Sequence, residues 1–339
     1  GGLVAAPPRL HQDTEPMLNY IIRRLLWAVV LFIGVTLITY VLFFLLPADP
    51  ARLAAGKSAT AEDVARVSHQ LGLDRPVHEQ YVLFLKRLVV DHSLGRSYAN
   101  RRSVNEMVGE AIPVTAALVV GGAILWMLIA LPIGILSALK PRSLIDRGAM
   151  IFILIGISAP VVWIGLLLQY FVGFRWGLTP NAGYCDVIDP PVGASCGGPA
   201  DWAYHMILPW LTFAILFAAS YARMIRANVM DTLGEDYVRT ARAKGAPENV
   251  VIRRHVLRNA LLPVVTMLGL DIGVALGGAI FTEAIFNLPG LGRLALNSVL
   301  NLDLPTMQGV IVFATLTIIL LNLVVDLIYA WIDPRIRLA

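Results

Sequence analysis

The sequence predicts an all-α membrane protein of six transmembrane helices, with a helical insertion between the first and the second. Three observations predict it. The 339 residues are 57% hydrophobic and 15% charged, with a mean hydropathy of +0.71, far from the balance of a water-soluble domain. Segments 21–46, 112–139, 149–174, 206–222, 261–286 and 307–332 are continuously apolar, near the roughly 20 residues a helix needs to cross a bilayer. The fourth is short and needs flanking residues. A membrane barrel would instead show ~10-residue stretches of alternating polarity. Third, basic residues concentrate in alternate connections, which marks a cytosolic side.

Residues 1–16 carry three prolines and no apolar period, so they read as a disordered cytosolic tail ahead of a natural start at Met17. The first helix, 17–46, holds Arg23 and Arg24 at its start. Its apolar run is too long for the core of a cleavable signal peptide, so it stays as an anchor. Residues 47–111 form the extracytoplasmic insertion. Thr60 caps a helix through Val64, Val67 and Leu71 that Gly72 ends. A second helix begins at Pro76, and its Val77, Tyr81, Phe84, Leu85 and Leu88 share one face. That face suits either a platform for an external partner or a helix resting on the spans. Residues 112–332 form a five-helix core, and 333–339 a cytosolic C-terminus.

Lys140, Arg142 and Arg147 fill the second connection, residues 223–258 carry eight basic residues, and Arg335 and Arg337 end the chain. Residues 177–205 contain no basic side chain except the histidine at 205. Both termini are therefore placed in the cytosol. Cys185 and Cys196 both fall in that outward connection, where an oxidising compartment favours a disulfide. Closing so short a loop is worth about 3 kcal/mol by chain entropy.

Two tempting motifs fail. Gly56-Lys57-Ser58 resembles the end of a phosphate-binding loop, but Ala51 stands where its first glycine belongs. His78-Glu79 opens a zinc-protease pattern, but Val82 occupies the second histidine position. The sequence shows no catalytic residue, metal set or nucleotide site, so it reads as a non-enzyme whose energy arrives from a partner.

The connection 223–262 is structured. Thr232-Leu233-Gly234-Glu235 fits a capping box opening a helix to Lys244, within 232–246. Glu235 and Arg239 form an i,i+4 pair, Arg242 and Lys244 suit the negative helix end, and Gly245 supplies a left-handed stop. Pro247 opens a second helix whose Arg253, Arg254, His255 and Arg258 lie near anionic headgroups, at about 1 kcal/mol each.

Tyr237-Val-Arg-Thr-Ala-Arg-Ala-Lys-Gly245 resembles the coupling loop of binding-protein-dependent ABC importer permeases, in the dipeptide/oligopeptide/nickel subfamily. The resemblance continues in Leu46-Pro47-Ala48-Asp49-Pro50, Leu71-Gly72-Leu73-Asp74-Arg75-Pro76, Pro113-Val114-Thr115 and His255 through Pro263. It extends through Gly277 to Glu283, Leu288-Pro289-Gly290-Leu291-Gly292 and Asp333-Pro334-Arg335. It implies the type I ABC importer permease fold and alternating access in a prokaryotic plasma membrane. It also implies a second homologous permease, two ATPase subunits that bind ATP and Mg, and an extracytoplasmic binding protein. The wider family writes the coupling motif Glu-Ala-Ala-x-x-x-Gly. Here Arg239 and Thr240 replace its first two residues, while Ala241 and Gly245 remain. Glu235, Tyr237, Arg239, Ala241, Arg242 and Gly245 are therefore the expected ATPase-coupling residues, with Ala241 and Ala243 small enough for close approach.

For the translocation path, Gly269, Gly273 and Gly277 repeat along the fifth span, a smooth stripe for packing or for a channel face. Asp271 is an intramembrane carboxylate, costly unless it meets water or a partner. It is read as facing the path and favouring a cationic group such as a peptide amino terminus. Glu283, near the outer end of the same helix, is either a gate residue or a capped, water-facing carboxylate. Pro132, Pro160 and Pro209 should kink their spans, and Asp326 snorkels or pairs near the inner end of the last.

These residues support an ATP-driven importer subunit for di- or oligopeptides, with nickel chelates as the alternative substrate. An ATP-independent transporter would show paired discontinuous repeats, and a membrane scaffold would not need the coupling motif.

Overall fold

The computed structural model describes residues 17–45, 50–55, 59–72, 74–187, 196–276 and 279–332. The expected tail at 1–16, the motifs at 46–49 and 56–58, Gly277 and the C-terminus at 333–339 lie outside them, as does the Asp326 side chain. The described residues form helices with one isolated bridge, Arg96 to Ser103.

After α1 (Met17–Leu45), the insertion folds as α2 (Pro50–Ala55), α3 (Ala61–Leu71) and α4 (Val77–Val90). Thr60 caps α3 in a capping box with Asp63, and Gly72 ends it at φ 70°, a left-handed conformation open to glycine. The apolar face of α4 rests on the first span: Tyr40, Tyr81 and Phe84 are buried together against Val312. The Tyr40 hydroxyl donates to Gln80 Oε1 at 2.9 Å, and the Tyr81 and Thr36 hydroxyls share a bond of 2.9 Å.

α5 (Val104–Leu139) starts eight residues before the expected span at 112. α6 (Leu144–Ser158) and α7 (Val161–Leu168), which runs on as a π-helical turn Gln169–Arg175, were expected as one span. They meet at 106°. Pro160 offers no N–H to α6 and forces Ala159 into extended backbone, φ −83° and ψ 125°, so the break exceeds a kink. Pro132 and Pro209, by contrast, lie inside unbroken helices.

α8 (Pro199–Leu233) overruns the predicted 206–222 at both ends. Then come α9 (Asp236–Ala243), α10 (Glu248–Val250), a π-helical stretch Val251–Leu257 and α11 (Arg258–Ala260). α12 (Leu262–Leu276) bends by 42° from that segment. Pro263 has no N–H to donate to the Asn259 carbonyl, which interrupts the helical ladder at the bend. α13 (Ile280–Ile285), α14 (Leu291–Leu300) and α15 (Leu304–Ile332) complete the chain. Among the described residues four helices, α1, α5, α8 and α15, are long and apolar enough to cross alone, and counting each bent pair as one span gives up to six.

The core is the α5–α8 pair. Trp126 is fully buried and stacks on Phe217 at 4.6 Å between ring centroids. Gly122 gives way to the Phe213 ring, and Gly134 to Ile225 and the Ala222 carbonyl. Small residues let the two backbones close where lipid supplies no hydrophobic drive.

Candidate functional site

The geometry of interest begins where α8 leaves the core. Thr232 does not open the next helix: its hydroxyl donates back to the Asn228 carbonyl at 2.7 Å, inside α8, and Gly234 ends that helix. α9 starts at Asp236, with Glu235 as an N-cap residue whose side chain makes no capping bond. The expected box fails because α8 continues through its threonine.

Val238 anchors α9, fully buried in the main core. Ala241 turns partly inward with it, so of the two alanines expected at a docking surface only Ala243 is exposed. Tyr237 is exposed, and its hydroxyl accepts a bond of 2.9 Å from Asn259, tying α9 to α11. Asn228 donates to the Ala260 carbonyl at 3.2 Å, tying α11 to α8. Arg239 pairs with Asp236 at 3.6 Å rather than with Glu235, since the helix begins one residue after the glutamate. Arg242 grips Glu248 through two bonds, of 2.7 and 3.1 Å, which holds the Glu248 carboxyl below its ordinary range. Gly245 stands at φ 81° with no heavy atom within 4 Å of where a Cβ would point. Its N–H closes on the Arg242 carbonyl at 2.9 Å, and that of Ala246 on Ala241 at 3.2 Å.

Beside this loop lies a clamp that sequence reasoning missed. Asp146, at the start of α6, accepts from Arg226 Nε at 2.9 Å and Nη2 at 3.2 Å, and from the Arg142 N–H at 2.8 Å. The Ser137 hydroxyl of α5 completes it. Three helices are thus joined at the level where α8 carries α9. Ser143-x-x-Asp146 before an apolar run was the available signal: the Ser143 hydroxyl caps α6. Nothing local named Arg226 as the partner.

On the fifth span, a Cβ at Gly273 would meet Leu321 at 3.6 Å, so that part of the stripe packs on α15. Gly269 is half-buried. Asp271 is also half-buried and accepts a 2.6 Å bond from the Tyr221 hydroxyl of α8. Glu283 lies on α13, beyond the end of α12 rather than on the same helix, and it is fully buried, not water-facing. Its carboxylate accepts from the Thr115 hydroxyl at 2.7 Å and the Arg293 N–H at 2.9 Å. Thr115 in turn accepts from the Leu291 N–H at 2.8 Å. A Cβ at Gly290 would fall on the carboxyl group. Glu283 therefore knots α5, α13 and the first turn of α14, where helix amides satisfy a buried anion.

Cys185 and Cys196 are joined as a disulfide. His205 Nδ1 donates to the Asp201 carbonyl at 2.8 Å and lies 3.3 Å from Cys185 Sγ.

The sequence matches the family described as "Binding-protein-dependent transport system inner membrane component" over residues 130–338, and its N-terminal companion over 17–119. It is 38% identical over 337 residues to the dipeptide transport system permease protein DppB of Escherichia coli (strain K12), covering 95% of this chain and 99% of that protein. It is 40% identical over 321 residues to the glutathione transport system permease protein GsiC of Salmonella choleraesuis (strain SC-B67), with 95% and 99% covered. The fold is like that of a chain in the inward-facing MetNI methionine ABC transporter, with TM-score 0.52 and 17% identity over 68% of this chain and 97% of that one. The chain therefore belongs to the binding-protein-dependent inner membrane transport components, as a multi-pass, non-catalytic permease subunit of an ABC importer.

Proposed function

We propose that this subunit forms half of the translocation path for di- or oligopeptides and is driven through α9. The observation that carries the reading is a short helix pinned by one buried residue, Val238, while Glu235, Tyr237, Arg239, Arg242 and Gly245 stay exposed. Such a helix transmits a push into α8 and α11, to which its neighbours are bonded. The push comes from two ATPase subunits holding ATP and Mg. A second homologous permease completes the path, an external binding protein delivers the substrate, and both termini stay in the cytosol.

Relatives named for dipeptide and for glutathione transport support a peptide substrate. Asp271 is the residue proposed to meet a peptide ammonium, since Tyr221 occupies only one of its carboxylate oxygens. Gly269 and Gly273 lie within a turn of it. Glu283, spent on helix amides, is a framework residue rather than a gate.

The test is uptake of labelled dipeptide into vesicles holding this chain with its cognate subunits, with glutathione and nickel as competitors. ATP-dependent peptide uptake lost in Gly245→Arg is expected. Nickel uptake would keep the coupling and change the substrate, and uptake without ATP would overturn both.

A further inference from the structure

A cavity of about 310 Å³ lies between α4, the loop before α5, α1 and the start of α15, remote from α9 and from Asp271. Its buried lining includes Tyr40, Gln80, Phe84 and Gln308, and its exposed lining Arg87 and Arg96. The polar groups left over are hydrogen-bond donors. Gln308 is 7% exposed, and its Nε2 finds no partner among the described residues. Among the described residues Arg87 bonds only its own helix, through Nε to the Leu83 carbonyl at 3.4 Å. Neither arginine has a carboxylate partner among the described residues. The loop wall is fixed: Asp303 accepts from the Tyr98 N–H at 3.0 Å and the Thr306 hydroxyl at 2.8 Å. Burial pushes the Tyr98 hydroxyl up to about 12, so at neutral pH it too carries its proton.

Two guanidinium groups, an unpartnered amide N–H₂ and a phenol facing one cavity recognise an anionic oxygen cluster. Its depth says where the anion comes from. Tyr40 stands five residues before the end of α1, and Gln308 four after the start of α15, so the cavity sits at the boundary where these spans leave the bilayer. The surface of α4 beside it exposes Val82, Val89 and Val90 next to Arg87, the mixture of an interfacial helix.

We infer that this cavity holds the headgroup phosphate of an anionic phospholipid, gripped by Arg87, Arg96 and Gln308, which fastens the insertion to the membrane surface. The proposal rests on the proposed orientation only for the leaflet. Lipid retention is read without transport, so its failure leaves the peptide reading standing.

The experiment is native mass spectrometry of the full chain with its cognate subunits, after detergent exchange with added phosphatidylglycerol or phosphatidylcholine. Selective retention of phosphatidylglycerol is expected, weakened about tenfold in Arg87→Gln and in the volume-conserving Gln308→Leu. Lys86→Gln, on the same helix but outside the cavity, should retain it as the wild type does. Equal retention of both lipids, unchanged retention in both cavity variants, or an equal loss in Lys86→Gln would overturn the site. Displacement by millimolar inorganic phosphate would overturn the lipid source.

Discussion

Glu283 shows how a single residue organises its surroundings in an apolar medium. An ionisable group sealed from water is stable only when its acceptors are filled, and here a threonine and the first turn of a helix fill them. Gly290 exists to leave room for it. Gly290→Ala should therefore cost about 1–3 kcal/mol through overpacking, read as a lower Tm in detergent. Glu283→Ala should lower Tm as well by leaving Thr115 and the Arg293 N–H unpartnered. The Asp146–Arg226 clamp obeys the same logic across three helices. Arg226→Ala and Asp146→Ala should each lower Tm, and the double variant should be no worse than the poorer single one, because they break one interaction. The exposed Arg242–Glu248 pair is weaker. Its contribution is complete above the ordinary carboxylate range and disappears as pH falls through the depressed Glu248 value. A Tm difference between wild type and Glu248→Gln should be present at pH 7 and vanish on acidification.

At the scale of the element, α9 is held by side chains rather than by length. Eight residues form too short a helix to persist alone in water, so Val238, the Tyr237–Asn259 bond and the Arg242–Glu248 pair define its position. Gly245→Ala should impair coupling mildly, through the left-handed backbone alone. Gly245→Arg should abolish it while leaving insertion intact and lowering Tm no more than Gly245→Ala does, since the site faces open space and both residues bear the same left-handed backbone strain. ATPase activity and uptake measured in the same vesicles separate the two effects. If the loop between α7 and α8 faces outward as proposed, thiol labelling of intact cells should mark neither Cys185 nor Cys196 until a reductant is added.

For the whole molecule, α5 and α8 form the packed centre, against which the broken spans rest. The 106° bend between α6 and α7 and the 42° bend before α12 place non-helical backbone within the assembly, a feature tolerated where neighbouring helices satisfy the freed groups. The proposed alternating access requires partners. Copurification should recover ATPase subunits and a second permease in fixed ratio, and an isolated chain should catalyse no uptake.

The number of apolar segments, the amphipathic face of α4, the cap at Thr60 and the stops at Gly72 and Gly245 were legible in the sequence. Each depends on neighbours within a few residues. What was misread depends on where an element already under way comes to an end. Thr232 has the residues of a helix start, yet α8 runs through it because its buried face continues to Val229. Pro132, Pro160 and Pro209 look alike locally, but one breaks a span and two do not. Asp271 and Glu283 were visible as intramembrane carboxylates, whereas their partners lie 50 and 168 residues away in sequence. Composition and periodicity thus determined, by themselves, a six-span helical membrane protein with a structured charged loop, because the bilayer imposes length and polarity on every segment. Only the tertiary structure decided which carboxylate is framework, which arginine closes a clamp and which face of α9 remains free, because pairing of buried polar groups is a long-range property.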